Sequence, residues 1–528
     1  MFNTSILHCD LNGFSCILSG NSLLGIIVIW ALFKLSTFLY NISPFHPLSQ
    51  FPGPKLAHMT FCYEAWYDLV NTGRYTSKIE QMHKQYGPLI RINPSELHCN
   101  DPRFIDEIYA TGRRRRNKSI RACQSLVAPI DRTGFGTVDH DLHRARRSPM
   151  GRHFSRQHVL RFEPEVKKQL QYLCDKLLSY RGQNAFDITM AYSCFTTDII
   201  SAFSFGEPLG LLTQEGWEPN WRQPTYSFLR TTLVFRYMPL LKKLVGAGKF
   251  FARRGYMGRD VRTLIEALYV RVPEMVSKAL AGTPTGCATP FRDIAESPGL
   301  SESDKELDRL SAEAMAFLMA GTETTAWSLS LITFHLLSQP GILSRLIMEL
   351  KAAVPEEQEL SWVELEKIPY LRGVILEGLR LSYGVSGRTS RIAKDEDLIY
   401  RGSSTDTEKY EYIIPRGFAV GMSSAIMHHN EEIFPDSEAF LPERWMEQDE
   451  NRHTNSERYL LSFSRGSRQC LGMSLAYCEL YLGVAFLTLK VFSKLILFET
   501  TEDDVRYDHD LLVPMTRKGS RGVRVVVA

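Results

Sequence analysis

The stretch Phe463-Ser464-Arg465-Gly466-Ser467-Arg468-Gln469-Cys470-Leu471-Gly472 sets one cysteine among two arginines and two glycines, with an apolar, helix-like run behind it. A thiolate stays ionised near neutral pH only beside positive charge or a metal, and Arg465 and Arg468 supply charge. Gly466 and Gly472 let the backbone come close to something large and flat. N–H groups of such a backbone would tune the sulfur, as the surroundings of any metal ligand do. Haem held by a cysteine thiolate fits all of these features. A small buried cysteine in a loop is the ordinary alternative, and it leaves Phe463, Gly466, Arg468 and Gly472 at those offsets without a reason.

Around this stretch, the 528 residues carry no internal repeat or low-complexity block and are read as one large catalytic domain behind a short leader. A net charge of +3 on a chain that is 44% hydrophobic and 23% charged gives no nucleic-acid footprint. The dense basic run Arg113 to Arg116 reads as a solvated turn beside Asn117 and Lys118. Ten scattered cysteines make no close pair of the zinc or thioredoxin type, so they are expected to be reduced thiols in a cytosol-facing domain.

The leader contains LLGIIVIWALF at Leu23 to Phe33. That run alone is too short to span a bilayer, which takes about 20 helical residues. Residues 22–40 are long enough, with Lys34 able to snorkel and Trp30 and Tyr40 suited to the interface. No Lys or Arg precedes Lys34, which favours a retained anchor with residues 1–21 as a lumenal stub over a cleaved signal or a buried helix. Residues 41–56 hold Pro44, Pro47, Pro52 and Pro54 and are expected to form a stiff, extended elbow, with the catalytic domain at 57–528. Asn3-Thr4-Ser5 reads as a lumenal glycosylation acceptor, whereas Asn117-Lys118-Ser119 should stay unmodified in a cytosolic body.

In the body helical spacing dominates, with strand-like pieces at Leu89 to Ile92 and Tyr412 to Ile414. The clearest helix, Leu310 to Leu337, is apolar on nearly every face, and Gly321-Thr322-Glu323-Thr324-Thr325 argues for protein rather than lipid around it. The Thr324 hydroxyl can bond the Ala320 carbonyl one turn back, or leave it free and loosen the helix. Glu377 and Arg380 share a helix face at i and i+3, and Arg444 in FLPERW can complete a network with them.

These segments together resemble the cytochrome P-450 superfamily. FSRGSRQCLG is similar to its cysteine signature F-x-x-G-x-R-x-C-x-G, AGTETT at Ala320 to Thr325 to its oxygen-activation motif, EGLR at Glu377 to Arg380 to E-x-x-R, and FLPERW at Phe440 to Trp445 to its arginine loop. All four occur in the expected order, and the likeness extends upstream through HPLSQFPGPKLA, YGPLIRINPSELH and HDLHRARRSPMGRHFS, in the style of ascomycete membrane-bound enzymes of secondary metabolism. The resemblance implies a mainly α fold with a minor β region behind the anchor, and haem b with Cys470 as its axial thiolate. It implies that Arg468 pairs with a haem propionate, joined by Arg391, His143 and Arg147, with Arg388, Arg144 and Arg146 as competitors. Pro149 is expected to kink or end the helix that carries HRARR.

The resemblance further implies that Glu377, Arg380 and Arg444 lock the cysteine loop, that Thr324 steadies iron-bound dioxygen, and that Glu323 relays protons. Met315, Phe317, Leu318, Ala320, Val385, Ser386, Leu512 and Val513 are the expected pocket residues, each with a plain reading as core. The implied activity is insertion of one oxygen atom from O2 into an apolar small molecule. NADPH electrons would come through a separate cytochrome P-450 reductase, because the chain carries no dinucleotide fingerprint. The expected location is the endoplasmic reticulum membrane, single-pass, with the domain facing the cytosol. Isomerisation, dehydration or peroxide use on the same fold is the alternative, and a haem sensor or carrier without turnover is the alternative of another class.

Overall fold

The computed structural model describes residues 20–126, 130–242, 262, 265–282, 289–353, 360–403, 409–446 and 456–528. The Asn3 acceptor and all but the end of the expected stub lie outside them. Helix α1 (Gly20–Ile42) covers the expected anchor and extends it by two residues at either end, and its apolar residues from Leu24 on stay largely exposed, burial beginning only at Asn41 in its last turn. It is a candidate membrane span by length and apolarity.

The proline-rich elbow is not extended. Successive turns close between Ser43 and His46, His46 and Ser49, and Leu48 and Phe51, and Leu48 and Phe51 are buried. The buried Arg91 explains the folding back: its guanidinium donates to Asn41 O at 2.9 Å and Pro94 O at 2.8 Å, with His46 Nε2 at 3.3 Å. Proline forbids helix here, but a buried cation with unused donors selects the carbonyls that a turn exposes.

Behind the elbow the chain forms α2 (His140–Gly151), α3 (Arg156–Ser179), α4 (Ile188–Phe205), α5 (Arg222–Tyr237), α6 (Leu307–Ser338), α7 (Pro369–Ser382) and α8 (Met473–Lys490), among other helices. Helix α6 spans 32 residues, about 48 Å at 1.5 Å per residue. It packs on α4, α7 and α8, with α8 in turn on α3, so its apolar faces are spent on protein, as its acidic and hydroxyl residues required. The approach to α4 is close at Gly321, where a Cβ would lie 2.7 Å from Ile200 Cγ1. Pro149 falls in the last turn of α2, so His143 and Arg147 stay one turn apart on intact helix.

The strands are β1 (Leu89–Asn93), β2 (Glu96–Cys99), β3 (Arg116–Lys118), β4 (Phe186–Asp187), β5 (Arg391–Ala393), β6 (Leu398–Ser403), β7 (Lys409–Ile414), β8 (Ala419–Gly421), β9 (Leu495–Leu497), β10 (His509–Leu511), β11 (Val513–Met515) and β12 (Arg524–Val527). They make a five-stranded sheet in the order β1-β2-β8-β5-β3, a three-stranded sheet β4-β12-β9, and the pairs β6-β7 and β10-β11. The antiparallel β3–β5 register sets Lys118 opposite Arg391. The basic run is a solvated turn only in part: Arg113 and Arg115 are exposed, but Arg116 opens a strand, is buried, and pairs with Glu396 at 2.7 Å, while Arg114 meets Glu107 and Glu396. Strand pairing overrode the charge pattern, because Glu396 and the Glu107 carbonyl satisfy the guanidinium inside.

Candidate functional site

The cysteine loop is held at both ends. Leu461 N donates to His428 Nε2 at 2.8 Å, and Ser462 Oγ donates to Leu379 O at 2.7 Å on α7. At the other end Gly472 caps α8 and its N–H points to the Cys470 sulfur. Between them Cys470 N donates to Phe463 O at 2.9 Å, Gln469 N to Gly466 O at 3.0 Å, and the Phe463 ring lies 5.1 Å from Tyr477. Gly466 has φ +76°, and a Cβ there would stand 2.2 Å from Tyr109 O. Only glycine meets both demands without strain.

The Cys470 side chain is exposed on its surface, although protein packs around it. Burial pushes its thiol up, against the Gly472 N–H and the charge of Arg147, which pull it down. A bound metal cation deprotonates such a thiol outright.

Beside this loop lies a cluster of basic groups. Arg468 donates to the carbonyls of Thr137 and Val138, each at 2.7 Å, and of Asp139 at 3.1 Å. Arg391 reaches Ser390 O at 3.0 Å and Ser464 Oγ at 3.4 Å, and Lys118 Nζ reaches Phe135 O at 2.5 Å. All these partners are neutral. Among the described residues, none of Lys118, Arg147, Arg391 and Arg468 has a carboxylate within ion-pair distance, whereas most other buried arginines do.

Burial moves the whole group the same way: Arg468 is pushed down to about 10 and Lys118 to about 7, each helped by repulsion from Arg391, and burial alone lowers Arg391 and Arg147. His143, beside Arg468, Arg147 and Lys118, is pushed down to about 3 and is neutral. The competing arginines are accounted for otherwise. Arg388 is 3.1 Å from both Glu64 and Asp68, Arg146 is 2.7 Å from Asp304, and Arg144 is exposed. A group with two carboxylates and a metal fits this donor set, and haem is such a group.

Under the loop, Glu377 receives five donors. Oε1 accepts from Arg380 Nη2 at 2.8 Å, Arg444 Nε at 3.0 Å and Leu441 N at 2.9 Å, and Oε2 accepts from Arg380 Nε and Trp445 Nε1, each at 2.9 Å. Arg380 also reaches the carbonyls of His428, Ser437 and Ala439. His428 carries this network to the cysteine loop: Nδ1 donates to Arg380 O at 2.7 Å while Nε2 accepts from Leu461 N. With its donors outweighing burial, the Glu377 carboxyl lies below its ordinary value.

On α6, Ala320 is exposed and Gly321 and Thr324 are half-open, a break in an otherwise buried helix. Thr324 Oγ1 donates to Ala320 O at 2.8 Å, the first of the two states its position allows. Ser328 Oγ donates to Thr324 O at 3.0 Å and meets Ser382 Oγ at 2.8 Å, tying α6 to α7. Glu323 is buried; its Oε1 accepts from the Tyr226 hydroxyl and lies 3.6 Å from Arg222 Nε, and its Oε2 has no partner. Burial pushes this carboxyl up.

The expected pocket residues divide. Ala320, Val385 and Leu512 present surface. Met315, Leu318 and Val513 are buried in the main core, where Phe317 packs its ring on Phe154 and Phe291. Ser386 is fully buried and gives its hydroxyl to Asp510. Sequence reasoning missed Lys118, His428, Trp445, Tyr226 and Arg222 as members of the site. Trp445 stood inside the quoted FLPERW and Lys118 beside the basic run, but nothing local marked the other three.

Cys470 and the adjacent cations, which have no described carboxylate partner, make a donor set that fits a metal-bearing dicarboxylate such as haem. The Cytochrome P450 family profile matches residues 52–516, and the chain belongs to that family. It is 39% identical over 442 residues to the cytochrome P450 monooxygenase ppzE of Metarhizium majus, covering 81% of this chain and 92% of that protein. It is 37% identical to the cytochrome P450 monooxygenase tpcC of Cochliobolus heterostrophus, over 91% of this chain and 93% of that one. It is 35% identical to the tryptophan 6-hydroxylase fscE of Fusarium equiseti, over 95% and 96%. The chain is an oxidoreductase of the monooxygenase class.

Proposed function

We propose that this protein inserts one oxygen atom from O2 into an apolar small molecule, by hydroxylation or epoxidation, as a tailoring step in fungal terpenoid or polyketide secondary metabolism. The observation that carries the reading is the cationic cluster beside Cys470, which lacks any described carboxylate partner and so fits the two carboxylates of haem. Bound there, haem supplies iron-based O2 activation, with the thiolate pushing electron density toward O–O cleavage.

The chain's own residues do the rest. Cys470 ligates, and Arg468, Arg391, Arg147 and Lys118 hold the carboxylates, with neutral His143 beside them. Glu377, Arg380 and Arg444 keep the loop in place through His428. Thr324, whose hydroxyl donates to Ala320 O, would hold a movable proton at Oγ1, and Glu323 would hold one on its carboxyl for delivery to the site. Ala320, Val385 and Leu512 shape an apolar surface that excludes water. The named tryptophan hydroxylase among the relatives supports hydroxylation. Electrons come from NADPH through a separate cytochrome P450 reductase, and α1 anchors the enzyme in the endoplasmic reticulum membrane with the domain facing the cytosol.

The test is an optical titration of the ferric enzyme with terpenoids, polyketides and fatty acids. A Soret shift with one class names the skeleton for turnover assays. In those assays Thr324→Ala should lower product per NADPH and divert electrons to hydrogen peroxide; unaltered product formation would remove the oxygen-activation role of Thr324.

A further inference from the structure

The two carboxylate oxygens of Glu323 have unlike surroundings. Oε1 sits in a directed chain. Asp187 Oδ2 receives Arg222 Nη1 at 2.8 Å, Arg222 Nε donates to the Tyr226 hydroxyl at 3.2 Å, and that hydroxyl donates to Glu323 Oε1. The far end is fixed: Asp187 Oδ1 caps α4 through Thr189 N at 3.0 Å and accepts Val523 N at 3.1 Å, one residue before β12. Arg222 and Tyr226 stand one turn apart at the start of α5, and the guanidinium lies over the Tyr226 ring at 5.3 Å. Oε2 is buried and has no partner at all.

A carboxylate kept only for structure would fill both oxygens, and an orphaned buried polar atom in a folded protein calls for a reason. A proton on Oε2 supplies it, because an uncharged acid needs no partner there as urgently as an anion would. The charged and titratable groups acting on Glu323 are Arg222 and Tyr226 from α5 and Asp187 from β4; α4, packed alongside, offers hydroxyls at Thr196 and Thr197, both engaged with Thr322.

We propose that Tyr226 and Arg222 are the positioning residues of Glu323: they clamp its carboxyl through Oε1 and leave Oε2 as the atom that takes up and releases the proton used in oxygen activation. The proposal rests on the reading of Glu323 as that proton source. Arg222 also acts through Tyr226, since a guanidinium donating to the phenol oxygen makes the phenol a stronger donor to Oε1. Both donors favour the anion while burial, the larger influence, favours the acid, so the clamp opposes but does not cancel the upward push on this carboxyl.

The test uses the purified full chain and infrared difference spectroscopy of the protonated carboxyl C=O stretch, assigned by its loss in Glu323→Gln. In Tyr226→Phe, which keeps the ring and removes the donor, that band should shift to higher frequency and persist to a pH higher by about one unit. Product per NADPH should fall in the same variant. Arg222→Lys should restore part of the wild-type titration, and Arg222→Gln should not. If the band titrates identically in wild type and Tyr226→Phe, the positioning role is overturned, whatever the coupling does. If the band responds as expected but Glu323→Gln couples as well as wild type, the clamp stands and the reading of Glu323 as proton source falls.

Discussion

Glu377 and Glu323 are both buried carboxylates on long helices, each with an arginine and an aromatic donor beside it, yet they end in opposite states. Glu377 has five donors on two oxygens, and its carboxyl is held down. Glu323 has one hydrogen bond, an arginine at 3.6 Å and an empty Oε2, and its carboxyl is pushed up. Burial opposes the charge in both cases, so the number and closeness of donors decide the outcome. The first is a fixed anion tied through Arg380 and His428 to the cysteine loop, and the second is a carboxyl that burial disposes to hold a proton.

The comparison breaks most visibly at the fixed end. Arg380→Ala leaves Glu377 buried with its two best donors gone, and should cost about 3–5 kcal/mol, read as a lowered denaturation midpoint together with lost haem retention. An equally large loss in Glu323→Ala would erase the distinction drawn here. Next comes Gly466→Ala, which meets both a left-handed φ and the Tyr109 carbonyl; the backbone conformation alone costs about 1–2 kcal/mol, and haem content should fall while the helical signal stays.

The pH dependence of stability should separate the two carboxylates by sign. The folded value of Glu377 lies below its unfolded one, so its contribution is present above the ordinary carboxylate range and is lost as pH falls through the folded value. For Glu323 the folded value lies above, so stability is lost as pH rises from the unfolded value toward the folded one. Denaturation midpoints against pH for Glu377→Gln and Glu323→Gln, each subtracted from wild type, should slope in opposite directions. His428 adds a further acid limb: burial holds it down to about 3, and its Nε2 must stay unprotonated to accept Leu461 N. Its contribution is lost as pH falls below about 6.5, and His428→Gln should flatten that limb.

The smallest effect belongs to Lys118→Gln. It removes one of the four cations proposed to hold the haem carboxylates and should weaken haem retention several-fold less than Arg468→Gln, measured as transfer to apomyoglobin. Equal effects would mean that the cluster acts through one residue and not as a field.

The motifs that could be read in the chain are those whose members lie a few residues apart: the cysteine loop, the Glu377 and Arg380 pair, and the Ala320 to Thr325 opening of α6. Glycines, a thiol and paired charges at fixed offsets carry their chemistry locally. What stayed hidden depends on pairing across the chain. Lys118 joins Arg391 only because β3 aligns with β5, and Arg222 and Tyr226 meet Glu323 only because α5 crosses α6. The same reason overturned two local readings: the elbow folded onto Arg91, and Arg116 found Glu396 inside. Of the apolar positions proposed for the pocket, Met315, Phe317 and Leu318 went to the core, since a helix buried on all sides gives no sequence signal for which face is open.

The most direct measurement is the reduced carbon monoxide spectrum of the purified full chain beside Cys470→Ser. Wild type should bind haem and show the strongly red-shifted Soret band of thiolate ligation, and Cys470→Ser, folded by circular dichroism, should lose that band. Well-folded wild type without haem, or a Cys470→Ser spectrum identical to wild type, would contradict the assignment of Cys470 on which the site is built.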